Sequence, residues 1–107
     1  MSVRALVYLQ LPSVKSFISE LKLRGLHEVR LVEVMQTFNM FRRVRLRLTS
    51  LDAYNNTILR HDLTVYYGLE EPESDEVKKL REDAKKRITE KFEKENIAVR
   101  EGEYRAE

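Results

Sequence analysis

Phe41-Arg42-Arg43-Val44-Arg45-Leu46-Arg47-Leu48-Thr49 is the stretch whose reading decides the fold. Val44, Leu46 and Leu48 alternate with Arg43, Arg45 and Arg47, and only a β-strand sends successive side chains to opposite faces. On a helix the same residues would scatter charge and apolar surface around the whole cylinder. One face of this strand therefore seeks a core, and the other presents guanidinium groups.

Working outward, residues 26–38 (Leu-His-Glu-Val-Arg-Leu-Val-Glu-Val-Met-Gln-Thr-Phe) are rich in Val and form a preceding strand, joined by a turn near Asn39-Met40. Its two faces are both partly apolar, with Val29, Leu31 and Met35 on one and Val32, Val34 and Phe38 on the other. Downstream, Asn55-Asn56 can supply the two positive-φ residues of a type I′ turn, followed by a strand over 57–67. A two-residue loop there predicts Leu48 opposite Leu63, Leu46 opposite Val65 and Val44 opposite Tyr67 on the core face. It pairs Arg47 with Thr64, Arg45 with Tyr66 and Thr49 with Asp62 on the other, a sorting that a one-residue slip would destroy. Leu51-Asp52-Ala53-Tyr54 can instead bulge or form a short turn.

At the flanks, residues 3–11 read as a leading strand, with Val3, Ala5, Val7, Leu9 and Leu11 alternating. Ser13 then reads as the N-cap of a helix with Val14, Phe17, Ile18 and Leu21 on one face, ended by Gly25. Leu69-Glu70-Glu71-Pro72-Glu73 is an acidic linker, and Ser74 caps a long helix with the stripe Val77, Leu80, Ala84, Ile88 and Phe92. Asp83–Arg87 and similar acid-before-base pairs line its solvent side. Ile97, Ala98 and Val99 offer a short last strand before a polar tail. The expected fold is α+β: one domain over residues 1–107, ordered from about 3 to 100, in the order β-α-β-β-β-α with a candidate final strand. Two helices lie on one face of an antiparallel-rich sheet, making a two-layer sandwich.

Composition narrows the function classes. Apolar residues make up 42%, enough for a core, and no apolar run approaches the roughly 20 residues of a membrane helix. Without cysteine there are no disulfides or thiolate metal sites. The start of the chain lacks the pattern of a signal peptide, so the cytoplasm is the expected compartment and no membrane partner is expected. Charged residues reach 36%, a surface chemistry of thermophile type. The small net charge of +2 hides a split: residues 1–68 carry ten basic against five acidic side chains, and residues 69–107 ten against thirteen.

Any basic surface therefore belongs to the sheet half, and Arg43, Arg45, Arg47 and Arg60 with Tyr66 and Thr64 are its candidate residues. Guanidinium groups, hydroxyls and a ring on one face suit a phosphate backbone and a stacked base. The reading is a non-enzymatic nucleic-acid-binding protein, an RNA or ribosome accessory factor, with RNA favoured over DNA. A solvated face with Asp62 or Glu33 pairing the arginines stands beside it. So does a protein-interaction or homodimerisation module using Leu31 and Met35. His27 and His61 have no metal-ligand spacing, and His61 falls on the core-facing row, where a hydrogen-bonded structural role is expected. Asp52, Asp62 and Glu33 together are the sole basis for a metal-dependent nuclease, the least supported class. There is no GxSxG, P-loop or GxGxxG motif, and no catalytic residue, metal or cofactor is expected.

The order helix–three strands–helix is similar to that of double-stranded-RNA-binding domains. With the leading strand it resembles bacterial-type ribosome hibernation factors. Both resemblances cover roughly residues 3–95 and concern topology. The RNA-binding domains hold phosphates with a Gly- and Lys-rich junction before the last helix. The acidic stretch Leu69-Glu70-Glu71-Pro72-Glu73 departs from that pattern.

Overall fold

The computed structural model describes residues 3–69 and 74–104, with side chains from residue 13 onward. The elements are α1 (Val3–Leu23), β1 (Glu28–Phe38), β2 (Phe41–Asp52), β3 (Thr57–Leu69), α2 (Asp75–Lys94) and β4 (Ala98–Glu101). The strands make one mixed sheet in the order β3-β2-β1-β4, with β4 parallel to β1 and the other neighbours antiparallel. The α+β class holds, and the candidate last strand does join the sheet.

The leading strand is the first correction: residues 3–11 belong to α1. Val7, Leu11, Val14, Ile18 and Leu21 recur at steps of four, three, four and three, so the apolar stripe of the helix runs back through this segment. A short, largely apolar run satisfies both periods, and here the helical one wins. Pro12 sits inside the helix at the cost of one backbone hydrogen bond. Ser13 is accordingly no N-cap, and its hydroxyl meets His61 Nε2 at 3.1 Å. Without a leading strand, the likeness to hibernation factors loses its first element, while the helix–three strands–helix order is retained.

Both helices end by the same device. At α1 the Leu26 amide donates to Leu21 O and the Gly25 amide to Lys22 O, with Gly25 at φ +70. At α2 the Ile97 amide donates to Phe92 O and the Asn96 amide to Glu93 O, with Asn96 at φ 60. These are Schellman motifs, and the apolar residue that follows each one, Leu26 or Ile97, joins Leu21 and Phe92 in the core. Each feeds straight into a strand, and β1 and β4 leave side by side, tied by the Ala98 amide to His27 O at 2.8 Å. Lys22 and Glu95 bridge the two helix ends. At its start α2 is capped by Ser74, whose side chain accepts from the Val77 amide, and along its surface Asp83 and Arg87 pair at 3.2 Å.

The core lies between the helices and one face of the sheet. Val14, Phe17, Ile18 and Leu21 of α1 and Ala84, Ile88 and Phe92 of α2 pack on Val29, Leu31, Val44, Leu46, Leu48, Leu63 and Val65. Phe17 sets its ring edge against Phe92 at 6.3 Å and stacks on His61 at 5.4 Å. Burial holds the His61 imidazole below its ordinary pKa, partly opposed by the charge of Asp62. His61 is thus a core-facing, hydrogen-bonded residue.

The β2–β3 register is the second correction. Leu46 lies opposite Leu63, Leu48 opposite His61 and Arg47 opposite Asp62, two residues away from the expected pairing. A shift of two preserves which face each side chain takes, so the inside-outside sorting survives over residues 45–48 and their partners, residues 61–64. The loop is the four residues 53–56, because Asp52 builds it. Asp52 Oδ1 accepts the Asn55 amide at 3.1 Å, and Oδ2 accepts Asn55 Nδ2 at 2.8 Å and Arg24 Nη1 at 3.1 Å. The two-residue turn belongs to the other hairpin, where Asn39 (φ 44) and Met40 (φ 69) both take the left-handed conformation between the paired Phe38 and Phe41.

Candidate nucleic-acid interface

The face of the sheet turned away from the helices is built from alternate residues of four strands. The cross-strand pairs place Arg30, Val32, Val34, Gln36 and Phe38 of β1 beside Thr49, Arg47, Arg45, Arg43 and Phe41 of β2. Arg60, Asp62 and Thr64 of β3 flank that row on one side and Arg100 of β4 on the other. Alternate residues on a strand stand about 6.8 Å apart, so the arginines of β2 form an evenly spaced line. Val32 and Val34 are half-buried among these longer neighbours.

The line is organised around one carboxylate. Asp62 Oδ2 receives Arg45 Nη1 at 3.0 Å and Arg60 Nη2 at 3.0 Å, and Oδ1 receives Arg47 Nε at 3.2 Å. Burial alone would raise the Asp62 pKa, but hydrogen bonds from Arg47 and Arg60 outweigh it and hold the carboxyl below its usual range. Asp62 therefore stays ionised, and three guanidinium groups against one carboxylate leave a local surplus of positive charge. Arg45 also donates to Gln36 Oε1 at 2.8 Å, and Arg43 donates to the neutral Thr64 hydroxyl at 3.2 Å. Arg30 and Arg100 share Glu28 at 3.1 and 3.3 Å, and Tyr104 lies against the Arg30 guanidinium at 5.2 Å.

Arg43, Arg45, Arg47 and Arg60 thus come together as expected, whereas Tyr66 does not join them. The ladder breaks between Val44 and Arg45, so that Arg45 pairs with Thr64 but Val44 pairs with Tyr66, leaving Val65 as the extra residue of a β-bulge. Val65 and Tyr66 both turn to the helix side, where Tyr66 packs on the core and its ring leaves no room for a Cβ at Gly68. Tyr67, opposite Arg43, takes its place on the arginine face and stacks on Phe41 with centroids 5.6 Å apart and planes 4° from parallel. A bulge has no fixed sequence signature, so the swap of Tyr66 for Tyr67 was hidden. Phe41, in contrast, already stood in the alternating row with Arg43, Arg45 and Arg47.

The proposed interface pair also divides. Leu31 is buried in the core under the helices, because its face of β1 is the covered one. Met35, on the same face but nearer the β1–β2 turn, is 60% exposed. The acids considered for a metal lie apart. Asp52 closes the β2–β3 turn, and Glu33 faces α2, paired with Lys85 at 2.7 Å and Arg81 at 3.4 Å rather than with the sheet arginines. Asp62 is on the opposite face, and no grouping of three potential ligands exists among the described residues. Nor is any helix among them long and apolar enough to cross a membrane.

This architecture defines a two-layer α+β domain with one sheet face given over to arginine. No protein-family model matches the chain, and no curated protein or solved structure shows significant similarity to it.

Proposed function

We propose that the protein binds nucleic acid, RNA before DNA, through the outer face of its sheet, as a non-enzymatic factor of the cytoplasm. The observation that carries this reading is the gathering of Arg30, Arg43, Arg45, Arg47, Arg60 and Arg100 on the face opposite both helices. Positive charge in excess of Asp62 and Glu28 offers phosphate oxygens charge-assisted hydrogen bonds, and pairing with Asp62 holds Arg45, Arg47 and Arg60 in place in advance. Nucleic acid bound this way releases counterions, so its affinity falls steeply with salt.

The test is titration of an RNA oligonucleotide at two salt concentrations with wild type, Arg43/Arg45/Arg47→Ala and the corresponding Lys variant. The Ala variant is expected to lower the slope of log affinity against log salt by about 0.7 to 0.9 per lost contact. The Lys variant keeps the charge and should keep most of that slope. Absence of salt-dependent binding at low salt sinks the proposal. Homodimerisation is the second reading, favoured by the exposed Phe38, Met40 and Leu69 at one end of the same face.

A further inference from the structure

We propose that the end of the arginine face formed by Phe38, Phe41 and Tyr67 is a base-stacking site, which makes single-stranded nucleic acid the ligand. This inference rests on the phosphate-binding reading and names the class of strand that it serves.

The first ground is the display of aromatic rings. Phe41 and Tyr67 are stacked on one another yet 38% and 57% exposed, and Phe38, paired with Phe41 across the tight turn, is 68% exposed. Burying an aromatic ring normally stabilises a small domain by a few kcal/mol, so three rings held outside the core at one spot are a surface built for contact. The second ground is shape. Gln36, Thr37, Phe38, Phe41, Arg43 and Tyr67 line a cleft of about 420 Å³, to which the arginine face brings aromatic rings, an amide and a guanidinium. The third is direction. Gln36 Oε1 is taken by Arg45, which leaves the amide nitrogen as the donor toward a base carbonyl. Arg43 stands at the junction between cleft and arginine row, where the phosphate next to a stacked base would lie.

A duplex cannot use such a site, because its bases already stack on one another. Nor can a four-stranded sheet, spanning about 14 Å between outer axes at roughly 4.8 Å spacing, enter the deep, narrow major groove of an RNA helix. A single strand has open ring faces, and a stacked base contributes about 1 to 3 kcal/mol with little regard to sequence.

The deciding experiment compares a labelled oligouridylate of roughly ten nucleotides with an RNA duplex of similar length, at about 50 and 200 mM salt. Wild type is expected to prefer the single strand. Tyr67→Leu, which keeps apolar area but removes the ring, should weaken single-strand binding about 5- to 150-fold with the salt slope unchanged, and leave duplex binding alone. Phe41→Leu should act in the same direction from the other side of the stack, while Tyr67→Phe should retain affinity and lose part of the tyrosine fluorescence quenching seen on binding. Equal affinity for duplex and single strand overturns the stacking site. So does full single-strand affinity in Tyr67→Leu and Phe41→Leu, and if the arginine variant still loses binding the phosphate reading survives alone. No binding of either probe removes both. A concentration-dependent dimer of free protein that Tyr67→Leu abolishes, without single-strand preference, assigns the surface to a second copy instead.

Discussion

The two hairpins of the sheet end in opposite ways. At the β1–β2 tip the turn is a matter of two backbone conformations, Asn39 and Met40, and residues 35–41 around it are exposed. At the β2–β3 tip the buried carboxylate of Asp52 holds Asn55 within the loop and reaches across to Arg24 just beyond α1. The second tip is tied to the helical layer through the Asp52–Arg24 pair. The β1–β2 tip is the one that carries Phe38, Phe41 and, from β3, Tyr67. Anchorage and display are thus separated along one sheet, with Asp62 and its arginines between them.

The largest expected difference between the two ends is in packing. Leu48 and Met35 lie on the same face of the sheet, but Leu48 is fully buried and Met35 is not. Leu48→Ala should cost about 2 to 5 kcal/mol in urea unfolding. Met35→Ala should stay within about 0.5 kcal/mol, as surface changes do. A comparable loss at Met35 would show that this end of the sheet is covered in solution.

Acid should also act on one tip and spare the other. Hydrogen bonds from Asn55 and then from Arg24 hold the Asp52 carboxyl below its ordinary range. A depressed carboxylate contributes stability that is complete above its unfolded pKa and is lost as pH falls through the folded one, so the loss begins below about pH 4. Asp62 adds to the same step. His61 makes an earlier one: its folded pKa is lowered, so the unfolded chain takes up the proton first and stability falls once pH drops below about 6.5. Urea midpoints against pH should show both steps, with the upper one missing in His61→Gln. In the acid step the NMR shift of the Asn55 amide should move, while that of Met40 stays in place. Equal movement at both turns would refute the contrast.

The smallest effect belongs to the β1–β2 turn itself. Met40 holds φ 69 with a side chain that disfavours it. Met40→Gly should raise stability by about 0.5 to 1 kcal/mol, measured by thermal unfolding. A loss would mean that the exposed Met40 side chain makes a contact worth more than the strain.

Much of this was legible in residue order. The alternation of Val44, Leu46 and Leu48 with Arg43, Arg45 and Arg47 sorted β2 correctly, because a period of two has one physical interpretation. Gly25 and Ser74 marked helix ends through local hydrogen bonds that any chain would make. The segment 3–11 was misread because a nearly continuous apolar run fits two periods, and the continuation of its stripe into Ile18 and Leu21 was the clue. Leu31 was placed at an interface because both faces of β1 are partly apolar, and only the position of the helices chooses between them.

The sequence by itself determined an α+β domain, an arginine-bearing strand and the segregation of positive charge into the sheet half. These follow from periodicity, capping and composition, all local properties. Tertiary structure alone decided the two-residue shift of β3, because Arg24, distant in the chain, helps Asp52 to set the loop length. It alone gathered Arg45, Arg47 and Arg60 on Asp62, since that requires the register. And it alone exchanged Tyr66 for Tyr67 on the arginine face, because a bulge inverts the alternation of every residue beyond it.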